Sequence, residues 1–178
     1  MIITVSGPPG SGKSTLAKAL AEKLGYRYFY AGEIFRREAA ERGLTLEEFG
    51  RLAEKNWEID RALDALLVEE MQRAKDTVFD ARLAGVLAKV NGIQAIRIYV
   101  TASAEERARR IAGREGQDVV KVMEEMLVRE KSEAKRYAEI YGYDYTKQEF
   151  YDIYIDSTKL SAGAVLAVVL SELHKRRI

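Results

Sequence analysis

The stretch Gly7-Pro8-Pro9-Gly10-Ser11-Gly12-Lys13-Ser14 fits the spacing G-x-x-x-x-G-K-[ST], and its surroundings give the fit weight. Met1-Ile2-Ile3-Thr4-Val5-Ser6 reads as a short buried strand, and Thr15 to Leu24 reads as a helix ended by Gly25. Strand, glycine-rich loop and helix in this order make a phosphate cradle. The glycines let backbone N–H groups turn inward without side-chain clashes, and the helix aims its positive end at the same place. Lys13 supplies a point charge to the outer phosphates, and the Ser14 hydroxyl suits a Mg²⁺ ion. Pro8 and Pro9 are the only prolines in the chain. Their fixed φ stiffens the loop and lowers the entropy lost when phosphate binds. The expectation is a site for ATP with Mg²⁺, bound by Gly7, Pro8, Pro9, Gly10, Ser11, Gly12, Lys13, Ser14 and Thr15.

The chain has 178 residues, enough for one domain with a core of its own. A hydrophobic share of 47% and a charged share of 32% describe a soluble globular protein. The net charge of +1 gives no global field to favour nucleic acid or an anionic membrane. Cysteine is absent, which excludes disulfides and thiolate metal sites. The single histidine, His174, stands beside Lys175 and Arg176 and reads as decoration of a helix end. The first strand begins at the first residue, leaving no room for a signal peptide, and no apolar run reaches spanning length. A cytoplasmic monomer is the resulting expectation, with neither nucleic acid nor membrane as a partner.

Beyond the first helix, Tyr26 to Tyr30 reads as a second strand, and Gly32 opens a helix through Arg42. Thr45-Leu46-Glu47-Glu48 has capping-box form, and Trp57 to Ala74 carries Ile59, Leu63, Leu66, Leu67 and Met71 at helical spacing. Strands follow at Thr77 to Phe79, ending at Asp80, and at Ile96 to Val100. Ser103-Ala104-Glu105-Glu106 starts a helix to about Ala112, which Gly113 to Gly116 interrupts. A long helix spans Asp118 to Tyr141, a fifth strand spans Tyr151 to Ile155, and Ser161 caps a last helix through Leu173. Strands separated by helices predict a three-layer α/β/α P-loop NTPase fold with a five-stranded parallel sheet.

Four segments resemble the cytidylate kinase family in its compact archaeal form, over nearly the whole chain. They are the loop Gly7 to Thr15, then Ala31-Gly32-Glu33-Ile34-Phe35-Arg36, then Asp80-Ala81-Arg82-Leu83-Ala84-Gly85, and Arg129-Glu130-Lys131-Ser132-Glu133-Ala134-Lys135-Arg136-Tyr137. The resemblance implies a nucleoside monophosphate kinase with an acceptor-binding helical insert over about 32–73 and a short lid over about 107–118. It assigns Arg36 to the acceptor's phosphate. Two departures touch the acceptor side: Tyr30-Ala31 replaces a small hydroxyl residue before Gly32, and Ala81 replaces a glycine before Arg82.

The fourth segment also makes chemical sense alone. Arg129, Glu133 and Arg136 share one helix face, presenting two forked cations around a carboxylate. Arginines grip phosphate bidentately, and a carboxylate accepts from an exocyclic amine such as cytosine N4. The same spacing also suits a solvated face with i,i+4 ion pairs. Arg82 follows a strand end, where ligands collect in α/β sheets. Asp80 ends the strand, in the position of an acid that holds a magnesium-bound water. Arg107, Arg109, Arg110 and Arg114 bracket the lid glycines, with Arg110 and Arg114 as transition-state contacts. The expected reaction moves the γ-phosphoryl of MgATP to CMP or dCMP. AMP, UMP or another small acceptor stays open, and so does a nucleotide-dependent switch or assembly ATPase. No guanine-reading Asn-Lys-x-Asp segment is present.

Overall fold

The computed structural model describes residues 1–176, apart from the side chains of Leu46, Glu47, Glu54, Ser132 and Arg136. Five parallel strands, β1 (Ile2–Ser6), β2 (Arg27–Tyr30), β3 (Thr77–Asp80), β4 (Ile96–Thr101) and β5 (Ile153–Asp156), lie in the order β2-β3-β1-β4-β5. Each strand alternates its side chains between two covered faces. On one face Val78, Ile98 and Val100 pack with Leu16, Leu20, Val165 and Val169 of helices α1 (Lys13–Leu24) and α8 (Ala162–Lys175). On the other, Phe79 and Tyr99 pack with Leu67 and Met71 of α4 (Trp57–Arg73) and with α5 (Ala84–Val90). These are the expected three layers.

Register positions the functional edge. Tyr30 pairs with Asp80, and Val5 pairs with Asp80 from the other side. The carboxyl ends of β1, β2 and β3 therefore lie level, and the loops that leave them meet. The chain runs outward in opposite directions from β1, which makes this the crevice where α/β sheets bind ligands.

Helices α2 (Gly32–Glu41), α3 (Leu46–Lys55) and α4 stand between β2 and β3 and enclose their own cluster of Ala39, Phe49, Ala53 and Ile59. Thr45 caps α3 with the reciprocal bonds its sequence predicts, Glu48 N–H to Thr45 Oγ1 at 3.2 Å and Thr45 N–H to Glu48 Oε2 at 2.8 Å. Helices α6 (Ala104–Glu115) and α7 (Val119–Tyr141) enclose a second separate cluster of Ala108, Ile111, Ala112, Val122 and Met126.

Three local expectations change. Helix α5 is not predicted, because seven residues are too few for a periodic signal. Its small residues Ala84, Gly85 and Ala88 let it lie close to the sheet, and Gly85 N–H donates to Ser6 Oγ at 3.0 Å. Helix α6 runs through Gly113 and ends only at Gly116, a left-handed cap with φ 66°. The Ser103 cap accepts from Glu106 N–H, but the Glu106 carboxylate turns to Arg109 and Arg110 and leaves the box half formed.

Strands β4 and β5 are joined where they begin. Asp152 accepts from Arg97 Nε at 2.9 Å, Nη2 at 2.8 Å and backbone N–H at 2.9 Å. These bonds, Arg97's side chain foremost, hold the Asp152 carboxyl below the usual carboxylate range. As pH falls, the unfolded chain takes up this proton first. The stabilisation is complete above the unfolded carboxylate pKa of about 3.9 and is lost as pH falls through the lower folded value. Asp152→Asn is expected to lower Tm at pH 7, and the gap to the unsubstituted protein should narrow progressively below about pH 4. Melting curves over a pH series check this.

Candidate active site

The phosphate loop leaves β1 and enters α1 through Gly12, which has φ 90° and offers no side-chain cap. The first N–H groups of α1 are thus left for an anion. Gly10 turns at φ 77°, and a Cβ there would stand 2.7 Å from the Arg107 carbonyl oxygen. Only glycine fits, because the loop is pressed against α6 from behind.

Arg107 makes that contact a clamp. Its side chain is 8% exposed. It donates to Ala102 O at 3.0 Å and Pro9 O at 3.3 Å and pairs with the Glu130 carboxylate of α7. Arg110 works alongside, donating to Ser157 Oγ at 3.0 Å, Ser157 O at 2.8 Å and Ser11 O at 3.4 Å. Buried Ser157 donates in turn to Ser11 O at 3.0 Å. Asp156 holds Thr158, whose Oγ1 accepts from Ser103 N–H at 2.8 Å, so the loop after β5 closes against the start of α6.

In front of the loop is an open cleft of about 670 Å³. Lys13, Arg36, Asp80, Arg82, Arg129 and Glu133 all line it, arriving from four different segments. Burial is the main reason that the Lys13 ammonium is held below the usual lysine range. Asp80 opposes that shift, while Arg82, Arg114 and Arg129 add repulsion. Glu133 is only 5% exposed, pairs with Arg82 and accepts from Arg129 Nε at 2.9 Å. It thus joins the turn after β3 to α7. Arg36 stands over the Tyr30 ring at 5.8 Å.

Asp80 is fully buried. Its Oδ2 accepts from the Tyr28 hydroxyl at 2.8 Å, whereas Oδ1 has no hydrogen-bond partner among the described residues. Burial and this acceptor push the Tyr28 phenol above the usual tyrosine range, so it remains a donor. Among the described residues no three acidic or histidine side chains gather as a metal cage. Mg²⁺ needs none, since it keeps waters and takes one or two protein groups plus phosphates. Asp80 Oδ1 with the Ser14 hydroxyl at the head of α1 fits that mode.

The cleft therefore gathers Lys13 of the loop and, of the acceptor-side residues singled out in the sequence, Arg36, Asp80, Arg82, Arg129 and Glu133; three other arginines stand differently. Arg110 is engaged behind the loop and is not among the cleft-lining residues. Arg114 is 69% exposed and paired with Glu115, yet near enough to act on Lys13. The Arg136 side chain lies outside the described residues. Both sequence departures are accommodated. The Tyr30 ring lies over Gly32, where a Cβ would stand 2.3 Å from Cε1. Ala81 needs no positive φ, and its N–H donates to Val5 O at 3.3 Å.

Sequence reasoning missed Tyr28, the Arg107–Glu130 pair, and two more cleft carboxylates, Asp60 and Asp64 on α4. Asp64 Oδ2 accepts from Tyr141 Oη at 2.5 Å. Two aspartates one turn apart beside an apolar stripe were the readable signal.

The fold and this cleft define a phosphotransferase of the P-loop kinase class. Residues 2–159 match the cytidylate kinase-like family, and the chain belongs to it. It is 40% identical over 178 residues to the cytidylate kinase of Archaeoglobus fulgidus, covering 100% of this chain and 97% of that one. It is also 40% identical over 173 residues to the cytidylate kinase of Methanothrix thermoacetophila, covering 97% and 98%. In fold it is similar to the shikimate kinase of Bacteroides thetaiotaomicron, with a TM-score of 0.67 at 14% identity over 98% of both chains. No helix of the described residues is long and apolar enough to cross a membrane.

Arg107→Ala would strand the Glu130 carboxylate and two carbonyls in the joint behind the loop. It is expected to destabilise the fold by about 3 kcal/mol. Arg107→Lys, which keeps charge but not the fork, should fall in between. Urea unfolding followed by circular dichroism measures both.

Proposed function

We propose that the protein transfers the γ-phosphoryl group of MgATP to CMP or dCMP, giving ADP and CDP or dCDP. The carrying observation is the cleft in which Lys13 faces arginines from three further segments, Arg36, Arg82 and Arg129. Membership of the family supports the same reading. ATP lies along the loop from Gly7 to Thr15, with Lys13 on its outer phosphates. Arg36, Arg82, Arg129 and Arg136 take the acceptor's phosphate. That acceptor is already anionic, so the reaction needs positioning and charge neutralisation rather than a strong base. Mg²⁺, when bound, neutralises the β- and γ-phosphate oxygens, and Ser14 and Asp80 are the residues that hold it. Of the two lid arginines, Arg114 is the better placed to meet the transferring phosphoryl, because Arg110 is committed behind the loop.

The cleft also carries a charge gradient. Arg129 and Tyr141, which bonds Asp64, are twelve residues apart on α7, about 18 Å at the helical rise. One end is cationic and the other acidic. A ligand with phosphate at one end and an amine-bearing base at the other fits that order, and uracil, with a carbonyl in place of the amine, fits it less well. Asp60 and Asp64 at the acidic end are thus alternative acceptors for the amine beside Glu133, our candidate, which already holds Arg82 and Arg129.

The separate cluster inside α2–α4 supports an acceptor-binding unit at about 32–73, and the exposed end of a lid at about 107–118, which carries Arg114, closes over the donor and excludes water from the phosphoryl. We propose that the chain acts as a monomer in the cytoplasm.

Each of CMP, dCMP, UMP and AMP is offered separately with MgATP, and ADP release is followed. Stimulation by CMP or dCMP well above the others is expected. Equal stimulation by AMP or UMP overturns the base assignment, and none at all overturns the reaction. Glu133→Gln should lower kcat/KM for CMP by about 10- to 100-fold, because it loses both the amine acceptor and the counter-ion of Arg82.

A further inference from the structure

The mechanism needs Asp80 to present one defined oxygen toward the phosphates, yet a carboxylate at a strand end is free to rotate about its Cβ–Cγ bond. Three observations on neighbouring strands say what stops it. First, Tyr28 pairs with Val78 and Tyr30 with Asp80, so Tyr28 is the diagonal neighbour of Asp80. By the two-residue alternation of strands, both side chains point to the α1 face, where the phosphate loop lies. A tyrosine is long enough to span such a diagonal. Second, the Tyr28 hydroxyl donates to Oδ2 at 2.8 Å, while Oδ1 of the same fully buried carboxylate has no partner among the described residues. Third, the Tyr28 ring is held in turn, with Lys18 Nζ of α1 5.7 Å from its centroid.

We propose that Tyr28 is the positioning residue of the magnesium site: its hydroxyl locks the Asp80 carboxylate so that Oδ1 alone faces the phosphate loop. The inference rests on the reading of Asp80 given above. Tyr28 touches neither substrate nor metal. It fixes the acid that faces them, as hydrogen-bonded partners of metal-facing groups commonly do. A phenylalanine would fill the same volume and leave Oδ2 buried without its donor, free to compete with Oδ1 for the inward direction.

The test is thermodynamic. ADP binding is titrated calorimetrically with Mg²⁺ and again in EDTA, for the unsubstituted protein, Tyr28→Phe and Asp80→Asn. The ratio of the two affinities measures how much the metal contributes to binding. For Tyr28→Phe that ratio is expected to fall by about tenfold while metal-free ADP affinity stays within twofold. At saturating Mg²⁺, kcat should drop while KM for CMP holds within twofold, a split that a loosened acceptor pocket would not give. Lys18→Ala, which removes the cation beside the ring but keeps the hydroxyl, should lower the ratio by less than Tyr28→Phe does. If Asp80→Asn lowers the ratio and Tyr28→Phe does not, the role of Tyr28 is overturned and that of Asp80 stands. If neither lowers it, the reading of Asp80 falls first and takes this inference with it. Loss of metal-free binding in Tyr28→Phe would make the residue part of the fold and overturn the inference as well.

Discussion

Two buried carboxylates keep a crowd of like charges in one place, and the rest of the site depends on that balance. Lys13 is stripped of much of its water and feels Arg82, Arg114 and Arg129 at once. Charges of one sign at such spacing repel by as much as a few kcal/mol per pair. Asp80 answers on the side of the loop, and Glu133 answers between Arg82 and Arg129. Neither carboxylate neutralises the cluster. The remainder is left for the phosphates of two nucleotides, so donor and acceptor each relieve repulsion that the other also feels. On the proposed reading, the charge that would make the empty cleft unfavourable is the same charge that would hold the transferring phosphoryl, already in place before reaction begins.

Such a cluster is useful only on a support that does not yield. The phosphate loop is held from behind by Arg107, Arg110 and Ser157, three side chains that bond its carbonyl oxygens. With those carbonyls engaged behind the loop, its N–H groups would be left to face a phosphate. The cost of ordering a glycine-rich loop is thereby met in folding rather than in binding. Through Glu130 the same joint ties α6 to α7, the helix that carries Arg129 and Glu133. Donor loop and acceptor arginines thus share one mechanical connection.

Much of this was legible in the sequence because it was local. The strand, loop and helix around Gly7 to Ser14, the Thr45 box and the Arg129–Glu133 face are all written within a few residues, and the structure forms each of them. What was hidden depends on pairing between distant segments. Tyr28 acquires meaning only when β2 lies beside β3 in one register, and Arg107 only when α6 packs behind the loop. In one dimension Arg107 was one of several arginines near lid glycines. In three it is buried and bound to a carboxylate 23 residues further along. Periodicity also failed at α5, where the buried run from Ala84 to Ala88 leaves no alternation to read.

The partition of the core bears on how the cleft closes. The two faces of the sheet carry the large clusters, whereas α2–α4 and α6–α7 each enclose a small one of their own. On the reading proposed above, helices with their own apolar contacts would move together, while Leu67 and Met71 keep α4 on the sheet. Besides the joints that Arg107 and Arg110 make behind the loop, such motion must respect two bonds of α7: Tyr141 to Asp64 across the acidic end of the cleft, and Arg82 to Glu133 near the cationic end. Both link α7 to the opposite wall through side chains alone. On the reading proposed above, approach of the acceptor helices to the loop would bring Arg36 toward Lys13, and the like charges would then stay close only with phosphate between them. Closure would thereby be coupled to the presence of substrate by electrostatics, with no separate sensing device required.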